Sequence, residues 1–263
     1  MMRIEILLLC LLMSYIGHAA EKDYVKKEAI PYRGGVSDEC ILDVAYVPEK
    51  TNRPVIIWFH GGGLTKGHRD CPVQLMKEDY VIVGVEYRLY PTVKVKEILR
   101  DCAAAVAWVY NNIEQYGGSL SNIFLAGHSA GGYISAMLGL DKSYLDEVGV
   151  DADSLAGLGL YSAQVITHFT ERSDRGIAKG KPIVDEMAPL YHVRGDCPPV
   201  FITTGGRDLE MICRYEENAY FHKMLLYNGH KDAVIYEEDG YTHGKMYIPS
   251  HPLFLIWMKS RIR

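Results

Sequence analysis

Seven short apolar runs, separated by stretches with helical spacing, constrain this chain more than any other feature. They are Cys40–Val47, Val55–Phe59, Val81–Tyr87, Asn122–Ala126, Gly157–Ser162, Val200–Thr204 and Ala233–Glu237. Several are continuously apolar and rich in β-branched residues, the pattern of strands buried on both faces of a sheet. Between them, Glu97–Tyr110 sets Ile98, Cys102, Ala105, Val106 and Val109 on one stripe, with Asp101 at its polar edge. Tyr133–Leu140, Tyr215–Tyr227 and Pro252–Arg263 also read as helices. Strands alternating with helices predict an α/β fold with a mostly parallel central sheet and helices on both faces.

One segment breaks the rhythm. Residues 164–196 are polar, carry Pro182 and Pro189, and lie between two buried strands. A connection of that length is expected to act as a lid or pocket wall, the alternative being a solvated excursion.

The fourth run ends in Ala126-Gly127-His128-Ser129-Ala130-Gly131-Gly132, where five of seven residues are Ala or Gly around a single hydroxyl. Gly127–Gly131 fits G-x-S-x-G, and it follows a buried strand and opens a helical pattern. A strand turning sharply into a helix strains the central residue and lifts its Oγ above the sheet, and small flanking residues let neighbouring backbone pass closely. A helix beginning at Ala130 also points free N–H groups at that hydroxyl.

A second signal is His60-Gly61-Gly62-Gly63, directly after the strand Val55–Phe59. Three successive glycines imply a specific backbone path, one that can present bare N–H groups to a developing oxyanion. A nucleophilic Ser129 needs a base, and the base needs a carboxylate, in the chain order Ser, acid, His. His243, in the Gly-flanked loop Asp239-Gly240-Tyr241-Thr242-His243-Gly244, is the expected base. His222 and His230 lie in or at the end of a helical stretch. Asp208, lifted from the strand Val200–Thr204 by Gly205-Gly206, is the expected acid, with Glu210 and Asp239 as rivals.

With these residues in hand, the chain from about Tyr46 onward resembles an α/β-hydrolase of the carboxylesterase kind. It is similar to hormone-sensitive-lipase-like esterases and, more closely, to the small bacterial feruloyl or acetyl esterase and kynurenine-formamidase-like group. The resemblance rests on HGGG, Glu86-Tyr87-Arg88-Leu89 (against that family's DYRL), the serine turn, Gly206-Arg207-Asp208 and Tyr241-Thr242-His243-Gly244. It departs at Glu86, where the lipase-like group has Asp, and at the loop Leu64–His68, which bears on substrate identity. The resemblance implies an oxyanion hole made by the N–H groups of Gly62, Gly63 and Ala130. It also implies hydrolysis of carboxylic esters through an acyl-enzyme, with a small-molecule or carbohydrate-linked ester as substrate. Amidase or formamidase chemistry on the same fold is the alternative, and a non-catalytic binding module is a second.

Composition narrows the remaining choices. A net charge of −5 and a pI near 6.1 give no basic footprint for nucleic acid. No phosphate loop, dinucleotide fingerprint, HExxH or EF-hand pattern occurs, so neither a cofactor nor a metal is expected. Arg3 precedes an apolar run, Ile6–Ile16, that ends in small residues, which predicts a signal peptide over 1–19 cleaved after Ala19. That run is too short for a membrane span, although an uncleaved anchor is the alternative. Residues 20–263 would then form one secreted or periplasmic hydrolase domain. Cleavage leaves Cys40, Cys71, Cys102, Cys197 and Cys213, an odd number without CxxC spacing, so at least one thiol is free.

Overall fold

Eight strands form one sheet in the order β1-β2-β4-β3-β5-β6-β7-β8, in a computed structural model that describes residues 24–178 and 180–263. The expected leader lies outside the described residues. In chain order the strands are β1 (Val25–Pro31), β2 (Ile41–Tyr46), β3 (Arg53–Phe59), β4 (Val81–Val85), β5 (Gly118–His128), β6 (Gly157–Tyr161), β7 (Val200–Gly205) and β8 (Ala233–Glu238). From β4 through β8 all neighbours are parallel, and β2 runs antiparallel to both β1 and β4. The mostly parallel sheet is as the sequence predicts. Edge strand β1 was not legible, because six of its seven residues are exposed and it carries no apolar run.

Period-two alternation sorts the buried strand residues onto two faces. Val55, Ile57 and Phe59 of β3 join one core, while Ile56 and Trp58 join the other. The first core is closed by α1 (Val95–Asn112), α2 (Ala130–Leu140) and α5 (Arg214–Tyr227). The second is closed by α6 (Tyr247–Lys259), whose Phe254 and Trp257 pack on Phe124 and Phe201. Burying an aromatic ring such as that of Phe254 is worth roughly 2–3 kcal/mol. Two short helices complete the set, α3 (Lys142–Asp146) and α4 (Phe169–Asp174).

Two local readings change. The last helix begins at Tyr247 and carries Pro252 in its interior, five residues earlier than a proline-led start would place it. Asp101 is fully buried, not at a polar edge. It takes a two-pronged pair from Arg88, Nε to Oδ2 and Nη2 to Oδ1 both at 2.7 Å, and a further pair from Arg33. That fork fixes the Glu86–Leu89 stretch against α1.

Residues 164–196 are not a free excursion. They contain α4 and a single turn at Pro189–His192, and Val165, Thr167, Met187 and Ala188 are buried. Tyr133 of α2 donates to the Met187 carbonyl at 3.0 Å, and Leu190 N–H to the Val165 carbonyl at 2.9 Å. Among the described residues no helix is long and apolar enough to cross a membrane. All five described cysteines are free thiols, Cys213 alone exposed.

Candidate active site

Ser129 stands between β5 and α2 with φ 56° and ψ −111°, the strained conformation the sequence predicts. Holding a non-glycine residue there costs about 1–3 kcal/mol, which the surrounding structure must offset. Its N–H donates to the Tyr161 carbonyl at 2.8 Å, and its carbonyl accepts from Tyr133 N–H at 3.0 Å. Gly127 and Gly131 are small because β3 passes behind the turn. A Cβ on Gly131 would sit 1.9 Å from the Phe59 oxygen, and one on Gly127 would sit 2.6 Å from it. Ser129 is 9 % exposed, so the hydroxyl is sheltered yet reachable.

The glycine loop lies beside it. Gly62 and Gly63 have φ of 115° and 67°, and among the described residues their N–H groups donate to nothing. Ala130 is the first residue of α2, so its N–H has no acceptor within the helix. His60 holds the loop from below. Its Nδ1 lies 2.7 Å from the Gly61 carbonyl, its ring stacks on Tyr87 at 4.2 Å, and Tyr87 Oη donates to the His60 carbonyl at 2.7 Å. From the other side Thr170 of α4 donates to the Gly63 carbonyl at 2.6 Å. The three N–H groups expected to form an oxyanion hole are therefore unspent.

The carboxylate on His243 is Glu210, not Asp208. His243 Nδ1 donates to Glu210 Oε1 at 2.5 Å, whereas Asp208 and Asp239 are exposed in turns. The cause is local. Leu209 and Glu210 both donate to the Gly206 carbonyl, at 2.8 and 2.9 Å, so the chain after β7 makes a helical turn. That turn carries Asp208 outward and folds Glu210 back beneath the strand end.

Glu210 is held on every side. Oε1 also accepts from Met211 N–H at 2.7 Å, and Oε2 from Gly205 N–H at 3.0 Å and Ser162 Oγ at 2.8 Å. Burial alone would raise its pKa, but hydrogen bonds and charge from His243, with the Met211 and Ser162 donors, bring it down to about 2. Ser162 was not singled out from sequence. Its only signal was position, at the end of the run that β6 forms beside β5.

With Nδ1 turned to Glu210, His243 keeps Nε2 uncommitted among the described residues. Ser129 Oγ and His243 are not hydrogen-bonded to each other, a looseness common in unliganded sites. The His243 ring rests on His128 instead, centroids 4.6 Å apart, and His128 Nε2 donates to the His243 carbonyl at 2.8 Å. Burial, then the neighbouring His243, lowers the His128 pKa to about 4, so it is neutral.

Two cavities flank these residues. One of about 710 Å³ lies between residues 164–182 and the stretch after Glu210, with Ile166, Phe169, Ile177, Met211 and Ile212 on its walls and Arg172, Arg214 and Glu217 also lining it. The other, about 420 Å³, is bounded by Gly61 and His128 and carries Asp70, Gln74, Tyr247 and His251. Among the described residues no group of three or more His, Cys, Asp or Glu could hold a metal.

Known proteins share this arrangement of elements. Residues 42–156 match the BD-FAE family model. Esterase LipC of Mycobacterium tuberculosis is 26 % identical over 218 residues, covering 73 % of this chain and 53 % of LipC. Esterase LipI of the same organism is 36 % identical over 96 residues, 35 % of this chain and 30 % of LipI. A probable isoprenylcysteine alpha-carbonyl methylesterase of Oryza sativa is 25 % identical over 235 residues, 79 % of this chain and 55 % of the relative. The chain thus spans between 30 % and 55 % of the length of these curated relatives. Among solved structures, a truncated carbohydrate esterase from gut microbiota superposes with a TM-score of 0.74 at 17 % identity, over 91 % of this chain and 99 % of that one. Esterase B of Lactobacillus rhamnosis superposes at 0.72 and 19 % identity, over 99 % and 98 %.

Proposed function

We propose that this α/β-hydrolase is a serine esterase that cleaves carboxylic esters through an acyl-enzyme on Ser129. The observation that carries the reading is the strained Ser129 turn facing three unspent N–H groups, with a histidine nearby whose Nδ1 is already committed to a buried carboxylate. In this reading His243 Nε2 takes the Ser129 proton as Oγ attacks the ester carbonyl, and the charge that forms on its oxygen rests on Gly62, Gly63 and Ala130 N–H. The imidazolium, stabilised by Glu210, returns the proton to the departing alcohol oxygen. Water then repeats the attack on the acyl-enzyme and frees Ser129.

The finer reading is an acyl ester on a hydroxyl-rich alcohol such as a sugar. It is supported by the two flanking cavities, a larger one that is mostly apolar although Arg172, Arg214 and Glu217 also line it, and a smaller one in which Asp70, Gln74, Tyr247 and His251 offer hydrogen-bonding groups. The likeness to a carbohydrate esterase points the same way. The leader pattern over 1–19 supports an exported enzyme acting on an external substrate.

A fluorophosphonate probe tests the chemistry. The wild-type protein is expected to be labelled and to hydrolyse p-nitrophenyl acetate, and Ser129→Ala to do neither. Labelling that persists in Ser129→Ala would overturn the assignment. Acetylated sugars, feruloyl esters and N-formylkynurenine assayed side by side test the substrate class, and preference for the last would favour amide chemistry.

A further inference from the structure

We propose that Ser162 is a positioning residue of this site, its hydroxyl fixing the Glu210 carboxylate so that one oxygen faces His243. The inference rests on the reading of His243 as the base.

The hydroxyl is fully buried and meets two partners at once, Glu210 Oε2 at 2.8 Å and His243 Nδ1 at 2.9 Å. An ionised carboxylate only accepts, so Ser162 must donate to Oε2. The imidazole Nδ1–H points chiefly at Oε1, and the same Ser162 oxygen can accept its weaker branch. Three groups thus close a ring through one hydroxyl.

Glutamate makes this support necessary. It has one more rotatable bond than aspartate, so its carboxylate has more orientations to lose before it can serve an imidazole. Gly205 and Met211 N–H fix the oxygens from the acid's own loop, and Ser162 fixes Oε2 from the neighbouring strand.

The backbone is shaped to deliver the hydroxyl. Ser162 has φ 49°, a conformation disfavoured for any residue with a Cβ. It is locked there by a bond that extends the β6–β7 ladder by one rung and by two side-chain donors from α5. Ser162 N–H donates to the Thr203 carbonyl at 2.6 Å, buried Arg214 donates through Nη1 to the Ser162 carbonyl, and Asn218 donates to the Ala163 carbonyl at 2.8 Å. Strain held by buried partners, with the side chain delivered onto the acid, marks a site feature.

The test compares Ser162→Ala with Ser162→Gly. Glycine accepts the φ that alanine resists, so it keeps the test open where alanine does not fold. If the hydroxyl matters, both variants lose kcat by about tenfold or more, with KM within about twofold, since a bond to a charged group is lost. If only the backbone shape matters, glycine retains wild-type activity, and the proposal falls. Without the Ser162 donor, the Glu210 charge is less dispersed and holds the imidazolium proton more tightly. The acid limb of kcat/KM therefore moves to higher pH in both variants. The same shift is read from NMR titration of the His243 imidazole, which needs no turnover. An unmoved imidazole overturns this inference even in an active enzyme. A protein that shifts as expected yet hydrolyses no ester defeats the functional reading instead.

Discussion

His128 Nε2 donates to the main-chain carbonyl of His243 at 2.8 Å, so the residue before Ser129 tethers the loop that carries His243. The two rings also lie against each other. His128→Phe keeps the ring and removes the donor. Its kcat is expected to fall severalfold to about tenfold, the cost of one hydrogen bond to the loop, with little change in melting temperature. Steady-state turnover and a thermal melt check both halves.

Glu210→Gln should lower kcat by at least about a hundredfold, because the amide can donate to His243 and favour the wrong tautomer. Asp208→Asn and Asp239→Asn should stay within severalfold, since neither side chain reaches the imidazole. Turnover of p-nitrophenyl acetate by variants of native circular dichroism decides between them. A collapse in Asp208→Asn with a healthy Glu210→Gln would remove Glu210 from its role.

Stability should fall in two windows as the solution is acidified. His128 and His251 are both buried, with pKa values lowered to about 4 chiefly by that burial. The unfolded chain binds their protons first, near pH 6.5, so stability present above that point drains away as pH falls towards 4. Glu210, lowered to about 2, contributes stability that is whole above about pH 4.5 and is lost towards pH 2. Denaturant melts across pH 7 to 2 should show both slopes, and Glu210→Gln should make only the lower one shallower, since Asp43 and Asp185, whose pKa values are also lowered, remain.

Gly131→Ala should be severely destabilising, by about 3 kcal/mol or more, because its Cβ would meet the Phe59 carbonyl oxygen at 1.9 Å, a main-chain atom that cannot swing aside. Gly244→Ala is the control, with nothing within 4 Å of the added carbon. Urea titration of the pair measures the difference.

Narrowing the apolar cavity should change which esters are taken. Ile177→Trp is expected to depress kcat/KM for hexanoyl and longer p-nitrophenyl esters by about tenfold while sparing the acetate, as volume is lost only where a long chain would lie. Equal losses on all chain lengths would place that cavity outside the substrate path.

Much of this was legible in the chain because the sheet is buried on both faces. Runs such as Val55–Phe59 and Ile123–Ala126 must be apolar throughout, and the glycines around Ser129 must be small because β3 passes behind them. His243 was legible as the histidine in a Gly-flanked loop after the last strand. The acid was not, because choosing Glu210 over Asp208 requires knowing that the chain coils through a helical turn after Gly206. Ser162 was invisible for a similar reason. A serine ending a strand becomes significant only when the neighbouring strand is known. Edge strand β1 has no inward face of its own to leave a pattern.

The sheet order has a consequence for how the protein could be divided. The glycine loop leaves β3, Ser129 leaves β5, Ser162 leaves β6, Glu210 leaves β7 and His243 follows β8, and these five strands are consecutive neighbours in space. In sequence they extend from Arg53 to beyond Glu238, so no half of the chain holds a complete set. A slip of one residue between β6 and β7 would turn every side chain of one strand to its opposite face and part Ser162 from Glu210. Under the proposed function, ester turnover therefore doubles as an assay of strand registration, reporting on assembly of the sheet that spectroscopic measures of strand content would miss.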